Sequence, residues 1–154
     1  MYSITGGADA ALFTIDPATG VLTFNSAPDF EAPTDAGGNN VYDVTVQVAD
    51  GNGGTASQAI AVTVTNVNEA PVITSAATVS VAENQTGAIT VTSTDVDGGT
   101  AVYSITGGVD QALFSINSST GVLTFNAAPN FEIPTDASAN NVYDVTVQVA
   151  DGNG

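Results

Sequence analysis

The chain is written nearly twice. The segment from Tyr2 to Gly53 returns from Tyr103 to Gly154 at a constant offset of 101 residues, and only 11 of the 52 paired positions differ. A gap-free copy of that length is a whole domain rather than one turn of a short-repeat solenoid. The chain therefore reads as a slice of a tandem array, cut out of phase. Residues 1–69 are expected to form one module lacking its first two strands, and residues 70–154 a second lacking its last strand. Met1 stands directly before a mid-repeat strand and is read as a fragment boundary.

Charge narrows the partners. There is no Lys, Arg or His, and 16 carboxylates give a formal charge of −16. No side-chain ion pair can form, so the repulsion must be spread over the surface or neutralised by bound cations. Nucleic acid and anionic lipid surfaces are excluded as partners, because both need basic patches. With 43% apolar residues and 10% charged ones, the composition is that of a folded chain and not of a solvating acidic tail. No apolar run approaches the ~18 residues of a membrane span, and no cationic region of a secretory signal is present. Without Cys, any reinforcement outside the cell has to come from something other than disulfides.

Periodicity gives the class. In Tyr42–Val48 the apolar Tyr42, Val44, Val46 and Val48 alternate with Asp43, Thr45 and Gln47, and the copy repeats this through Tyr143, Val145, Val147 and Val149. Ile60, Val62 and Val64 alternate likewise. A period of two is a strand with one face in a core. Shorter strands are predicted at Tyr103–Thr106, Leu113–Asn117 and Val122–Asn126, with equivalents one repeat earlier; Val72–Val81 and Ala88–Thr94 add two more in the second module. The expectation is all-β: Greek-key, immunoglobulin-like sandwiches in tandem, with no α-helix. The strand around Ile60–Val64 is assigned to the first module. Folding back into the second would span about 30 Å, whereas Asn66–Ala70 reaches about 17 Å.

Acids and Asn gather at strand ends. The clusters are Asp29-Phe30-Glu31 (Asn130-Phe131-Glu132 in the copy), Asp50-Gly-Asn-Gly-Gly, Asn66–Pro71, Glu83-Asn84, and Asp95-Val-Asp97-Gly-Gly. Asp and Glu one residue apart place two carboxylates on one side of an extended chain. With Asn side chains and backbone carbonyls nearby, this is the oxygen-only surrounding that calcium takes, at six to eight ligands. A single cluster is weak, since Asp-Gly-Asn-Gly is foremost a turn. The set is stronger. Asp95-x-Asp97-Gly98 is not an EF-hand loop, because its later acidic positions are missing.

The order of these pieces (xEN, DxD, YSI, LF-I…TG-L, D-F-E, Y-x-V-x-V-x-V-A-D-G, N-x-N-E-x-P) resembles the cadherin repeat, and most closely the cadherin-like repeats of large bacterial surface adhesins. The resemblance covers the whole chain. It implies one calcium junction, short of the first module's own xEN glutamate, with Asp29 and Glu31 from the first module, Asn66, Asn68 and Glu69 from the linker, and Asp95, Asp97 and Asp151 from the second. Asp50, Glu83 and Glu132 would belong to half-sites for neighbouring junctions. Three positions depart from the pattern: Asn66 and Glu69 stand where Asp is usual, and Asn130 replaces the counterpart of Asp29.

The resemblance implies calcium-binding repeats that form a rigid extracellular stalk for cell adhesion, homophilic or to surfaces. They would be part of a larger secreted or membrane-anchored protein, with calcium, neighbouring repeats, other adhesin chains and glycans as partners. The alternative is a calcium-dependent carbohydrate-binding module. Catalysis is not expected: without His, Cys, Lys or Arg, a Ser nucleophile lacks its base and a phosphate lacks its clamp.

Overall fold

A computed structural model describes residues 1–153. The chain divides into two compact units, Met1–Val67 and Asn68–Gly154, each with a core of its own.

The first unit carries five strands: β1 (Tyr2–Gly6), β2 (Phe13–Ile15), β3 (Leu22–Phe24), β4 (Val41–Ala49) and β5 (Thr55–Thr63). One sheet has the order β1-β4-β5, all antiparallel, and the other is the β2-β3 hairpin. The strand predicted around Ile60–Val64 is the end of β5, which pairs with β4 along nine residues, from Val41 opposite Thr63 to Ala49 opposite Thr55. Phe13, Tyr42 and Val44 are buried between the sheets, with Ile4, Phe24, Ile60, Val62 and Val64 packed around them. Three rings meet there. Phe13 and Phe24 lie 4.5 Å apart, tilted, and Tyr42 stands edge-on to Phe24 at 5.1 Å. Offset and edge-to-face pairs suit the ring quadrupoles, and each buried ring contributes roughly 1.5–3 kcal/mol through lost water contact.

The second unit is built from β6 (Val72–Ile73), β7 (Gly87–Thr90), β8 (Ser93–Thr94), β9 (Val102–Gly107), β10 (Phe114–Ile116), β11 (Val122–Phe125) and β12 (Thr146–Ala150), in antiparallel sheets of order β10-β11-β7, β12-β9 and β6-β8. Phe114, Phe125 and Tyr143 repeat the ring triad at 4.5 and 5.1 Å. Expectations change here at several strands. The strand expected from Tyr143 begins only at Thr146, in β12. The single strand predicted over Ala88–Thr94 switches sheets midway: β7 pairs with β11, then β8 pairs with β6. The switch is made by Val91, buried at 4% exposure, whose N–H donates to the Gly121 carbonyl. Because β8 is two residues long, its partner β6 is too, and the strand predicted over Val72–Val81 stops at Ile73.

The only helical elements among the described residues are 3-10 turns at Ala10–Leu12 and Gln111–Leu113. Each precedes a strand whose first residue, Phe13 or Phe114, is buried. The predicted strand start at Leu113 moves to Phe114 for this reason.

Candidate metal centre

Four of the sixteen carboxylates have sunk into the fold. Asp9 and Asp110 are 4% exposed, Asp35 and Asp136 are 6% exposed. With no cation in the sequence, each is satisfied by backbone N–H groups. Asp9 accepts from Ala36 at 2.6 Å and Asp43 at 2.7 Å, and Asp110 accepts from Ala137 and Asp144 at 2.7 and 2.8 Å. Asp35 accepts from Asn39 and Asn40, and Asp136 from Asn140 and Asn141. Bonds to an ionised acceptor are the strong ones, and these brace the loops before β4 and its copy. The Asn39 N–H bond first holds the Asp35 carboxyl below the usual range, against burial. For Asp136, burial pushes upward, but the bonds from Asn140 and Asn141 outweigh it. These acids carry structure. Nothing in the sequence separated them from the exposed ones: Asp43 and Asp144, and Glu31 and Glu132, recur at the same offset and are exposed.

A different group of acids lines one end of the second unit. The turn after β8 is held by the Asp97 N–H donating to Asp95 Oδ1 at 2.9 Å. Linker residues reach the same place: the Glu69 N–H donates to Asp97 Oδ2, and the Asn68 side-chain amide donates to Asp151 Oδ2, both at 2.6 Å. The carboxylates of Glu69 and Asp97 offer oxygens within 4.8 Å of each other. A cavity of about 170 Å³ lies between Pro71, Ser93, Asp95, Gly98, Gly99, Ala101 and Asp151. Five of the predicted ligands (Asn68, Glu69, Asp95, Asp97, Asp151) thus converge within one unit.

One atom tests whether a cation fits. Asp95 Oδ2 is buried and has no hydrogen-bond partner. A buried oxygen of an ionised carboxylate cannot be left so without a cost of about 1–3 kcal/mol or more. No side chain of this sequence can supply the missing positive charge. The donor set is carboxylate and amide oxygen, the chemistry of a hard cation and not of a soft one. The Asn153 N–H, then the Asn68 amide, hold the Asp151 carboxyl below the usual range, while burial and the negative Asp97 work against them.

The remaining predicted residues are placed as follows. In the first unit Asp29 Oδ1 accepts from the Glu31 and Ala32 N–H groups at 3.0 and 3.1 Å, and Asn66 and Glu31 are exposed. Asp50 Oδ1 caps its own turn through the Asn52 and Gly54 N–H groups, which lower its pKa. In the second unit Glu83 Oε2 accepts from the Phe131 N–H at 3.0 Å, and the Glu132 N–H donates to Asn130 Oδ1 at 2.9 Å. Glu83 and Asn130 are therefore tied to the Phe131–Glu132 backbone.

Comparison with known proteins places the fold. Residues 68–154 match the family model of the bacterial Ig domain. Over 35 residues, or 23% of its length, the chain is 54% identical to Halomucin of Haloquadratum walsbyi, and the match spans 0% of that protein to the nearest per cent. Drosophila N-cadherin EC1-4 superposes on 99% of the chain with a TM-score of 0.64 and 19% identity, the chain spanning 37% of that structure. Human protocadherin-24 EC1-2 superposes on 97% with a TM-score of 0.61 and 23% identity, over 70% of that structure. The fold is that of cadherin extracellular repeats.

Proposed function

The chain belongs to the bacterial Ig domain family, and on that premise we propose that it is a calcium-binding, cadherin-like repeat segment of an extracellular adhesive stalk. Asp95, Asp97 and Asp151, with Glu69 and Asn68 from the linker, hold the metal. The partnerless Asp95 Oδ2 carries the proposal. When bound, calcium supplies positive charge to a chain that has none of its own outside the N-terminus. The protein's part is to gather oxygens. The Asx turn at Asp95 presents two carboxylates one residue apart, and the Asn68 and Glu69 contacts fasten the linker to them.

Asp29, Glu31 and Asn66 of the first unit, and Asp50, Glu83 and Glu132, enter this reading only as candidates that the sequence resemblance implies. In a stalk, binding would stiffen the linker, and the near-identity of the two copies suits a spacer that sets reach. The rival reading, a glycan-binding module, draws little support from the aromatic rings. Phe13, Tyr42, Phe114 and Phe125 are spent on the cores, and Phe30 and Phe131 are the exposed phenylalanines.

Extracellular calcium modules bind with Kd of roughly 10⁻⁴–10⁻³ M, and at ten times Kd one site adds about 1.4 kcal/mol to folding. Thermal unfolding in calcium, in magnesium and in EDTA at equal ionic strength tests this. A rise in Tm specific to calcium is expected. Equal Tm in calcium and EDTA would contradict it.

A further inference from the structure

Tyr103, in β9, is held at three points. Its N–H donates to the Ser118 carbonyl at 2.9 Å. Its ring lies so near the turn after β10 that a Cβ on Gly121 would stand 3.3 Å from it. Its hydroxyl, on a residue only 8% exposed, meets Ser93 Oγ at 2.9 Å. A phenol is a stronger acid than an alcohol, which assigns the donor role to Tyr103 and the acceptor role to Ser93. Ser93 Oγ then keeps its own hydrogen and a second lone pair. Ser93 belongs to β8, is half-buried, and lines the cavity of about 170 Å³ together with Asp95 and Asp151. It stands two positions before Asp95, on the same side of an extended chain. Spacing singled out the acids and passed over both hydroxyls, because the pair forms only when the fold brings β8 and β9 together. β8 pairs with β6 and β9 with β12, so the bond also ties two sheets.

We propose that the Ser93 hydroxyl, aimed by Tyr103, is a neutral oxygen ligand of the cation in this cavity. The inference rests on the calcium-binding reading of the same cavity. Calcium takes roughly six to eight oxygens, so Asp95, Asp97 and Asp151, bound through one oxygen each, leave about half of the shell to neutral donors. A hydroxyl beside Asp95 fills one such place without adding charge to a chain already at −16. Tyr103 is a positioning residue. Its phenol holds the Ser93 hydroxyl in one orientation, so the side-chain entropy of ordering that ligand is spent in folding rather than in binding.

Calorimetric titration of calcium into the full chain, Ser93→Ala, Tyr103→Phe and the double variant tests this, beside thermal unfolding of each in EDTA. Ser93→Ala should weaken calcium binding about fivefold, and Tyr103→Phe about threefold. The double variant should bind no more weakly than Ser93→Ala alone, because Tyr103 acts only through Ser93. A hydroxyl pair that merely ties two sheets would lower the Tm in EDTA and leave the affinities as they were. Unchanged affinity in either single variant, or losses that add in the double variant, would overturn this inference and leave the calcium reading standing. A parent chain that binds no calcium would overturn both.

Discussion

The Asn68 side-chain amide donates to Asp151 Oδ2 at 2.6 Å, joining the start of the second unit to the end of β12 across 83 residues of sequence. It also helps hold the Asp151 carboxyl below the usual range, second to the Asn153 N–H. In Asn68→Ala the Asp151 pKa should therefore rise, read from the pH titration of its carboxyl carbon by NMR. An unchanged titration would show that the contact carries no electrostatic weight.

Acid should unfold the protein within a defined window. Asp16, Asp35, Asp50, Asp136 and Asp151 all have folded-state pKa values below the ordinary one, owing mainly to backbone N–H bonds. A lowered carboxyl contributes stability that is complete above its unfolded pKa, about 3.9, and is lost as pH falls through the folded value. In EDTA and high salt, which screens the repulsion of the other acids, Tm should be flat down to about pH 4 and fall below it. A steady decline from neutral pH would mean that other groups govern.

The buried acids should matter more than the exposed ones. Asp9→Ala strands the N–H groups of Ala36 and Asp43 away from water, and the loss should be about 2–4 kcal/mol by denaturant unfolding. Asp110→Ala should cost a similar amount in the second unit. Asp43→Ala, on the exposed face of β4, should stay within about 0.5 kcal/mol.

Gly7 has φ +106°, and a Cβ there would run into the Asp43 carbonyl and Val44 Cα; Gly108 stands against Asp144 and Val145 in the same way. The register of β1 on β4 shifts between Ile4 and Gly6, so the backbones cross closely just where a side chain has no room. Gly7→Ala should cost about 3 kcal/mol or more. A loss below about 1 kcal/mol, the ordinary Gly-to-Ala range, would mean that the crossing relaxes.

Alternation made the long strands legible, because a period of two reports which face is buried. It could not report strand length where a neighbour decides it: the nine residues of β4 and their copy are equal in sequence and unequal in structure. Nor could it show the sheet switch at Val91, since Ala88–Thr94 reads as one extended run and the break depends on the Gly121 carbonyl. At the candidate metal centre, Asp95 and Asp97 stood out through spacing. The division of labour among acids did not, because Asp9 and Asp35 differ from Asp29 only in which N–H groups the fold brings to them.

Calorimetric titration of calcium into the chain, with magnesium present as competitor, bears on the central claim most directly when run beside Asp95→Asn and Asp97→Asn. The account predicts saturable binding with Kd near 10⁻⁴–10⁻³ M in the parent, weakened at least tenfold in each variant, while Asp43→Asn binds as the parent does. Identical isotherms for the parent and both site variants would contradict it.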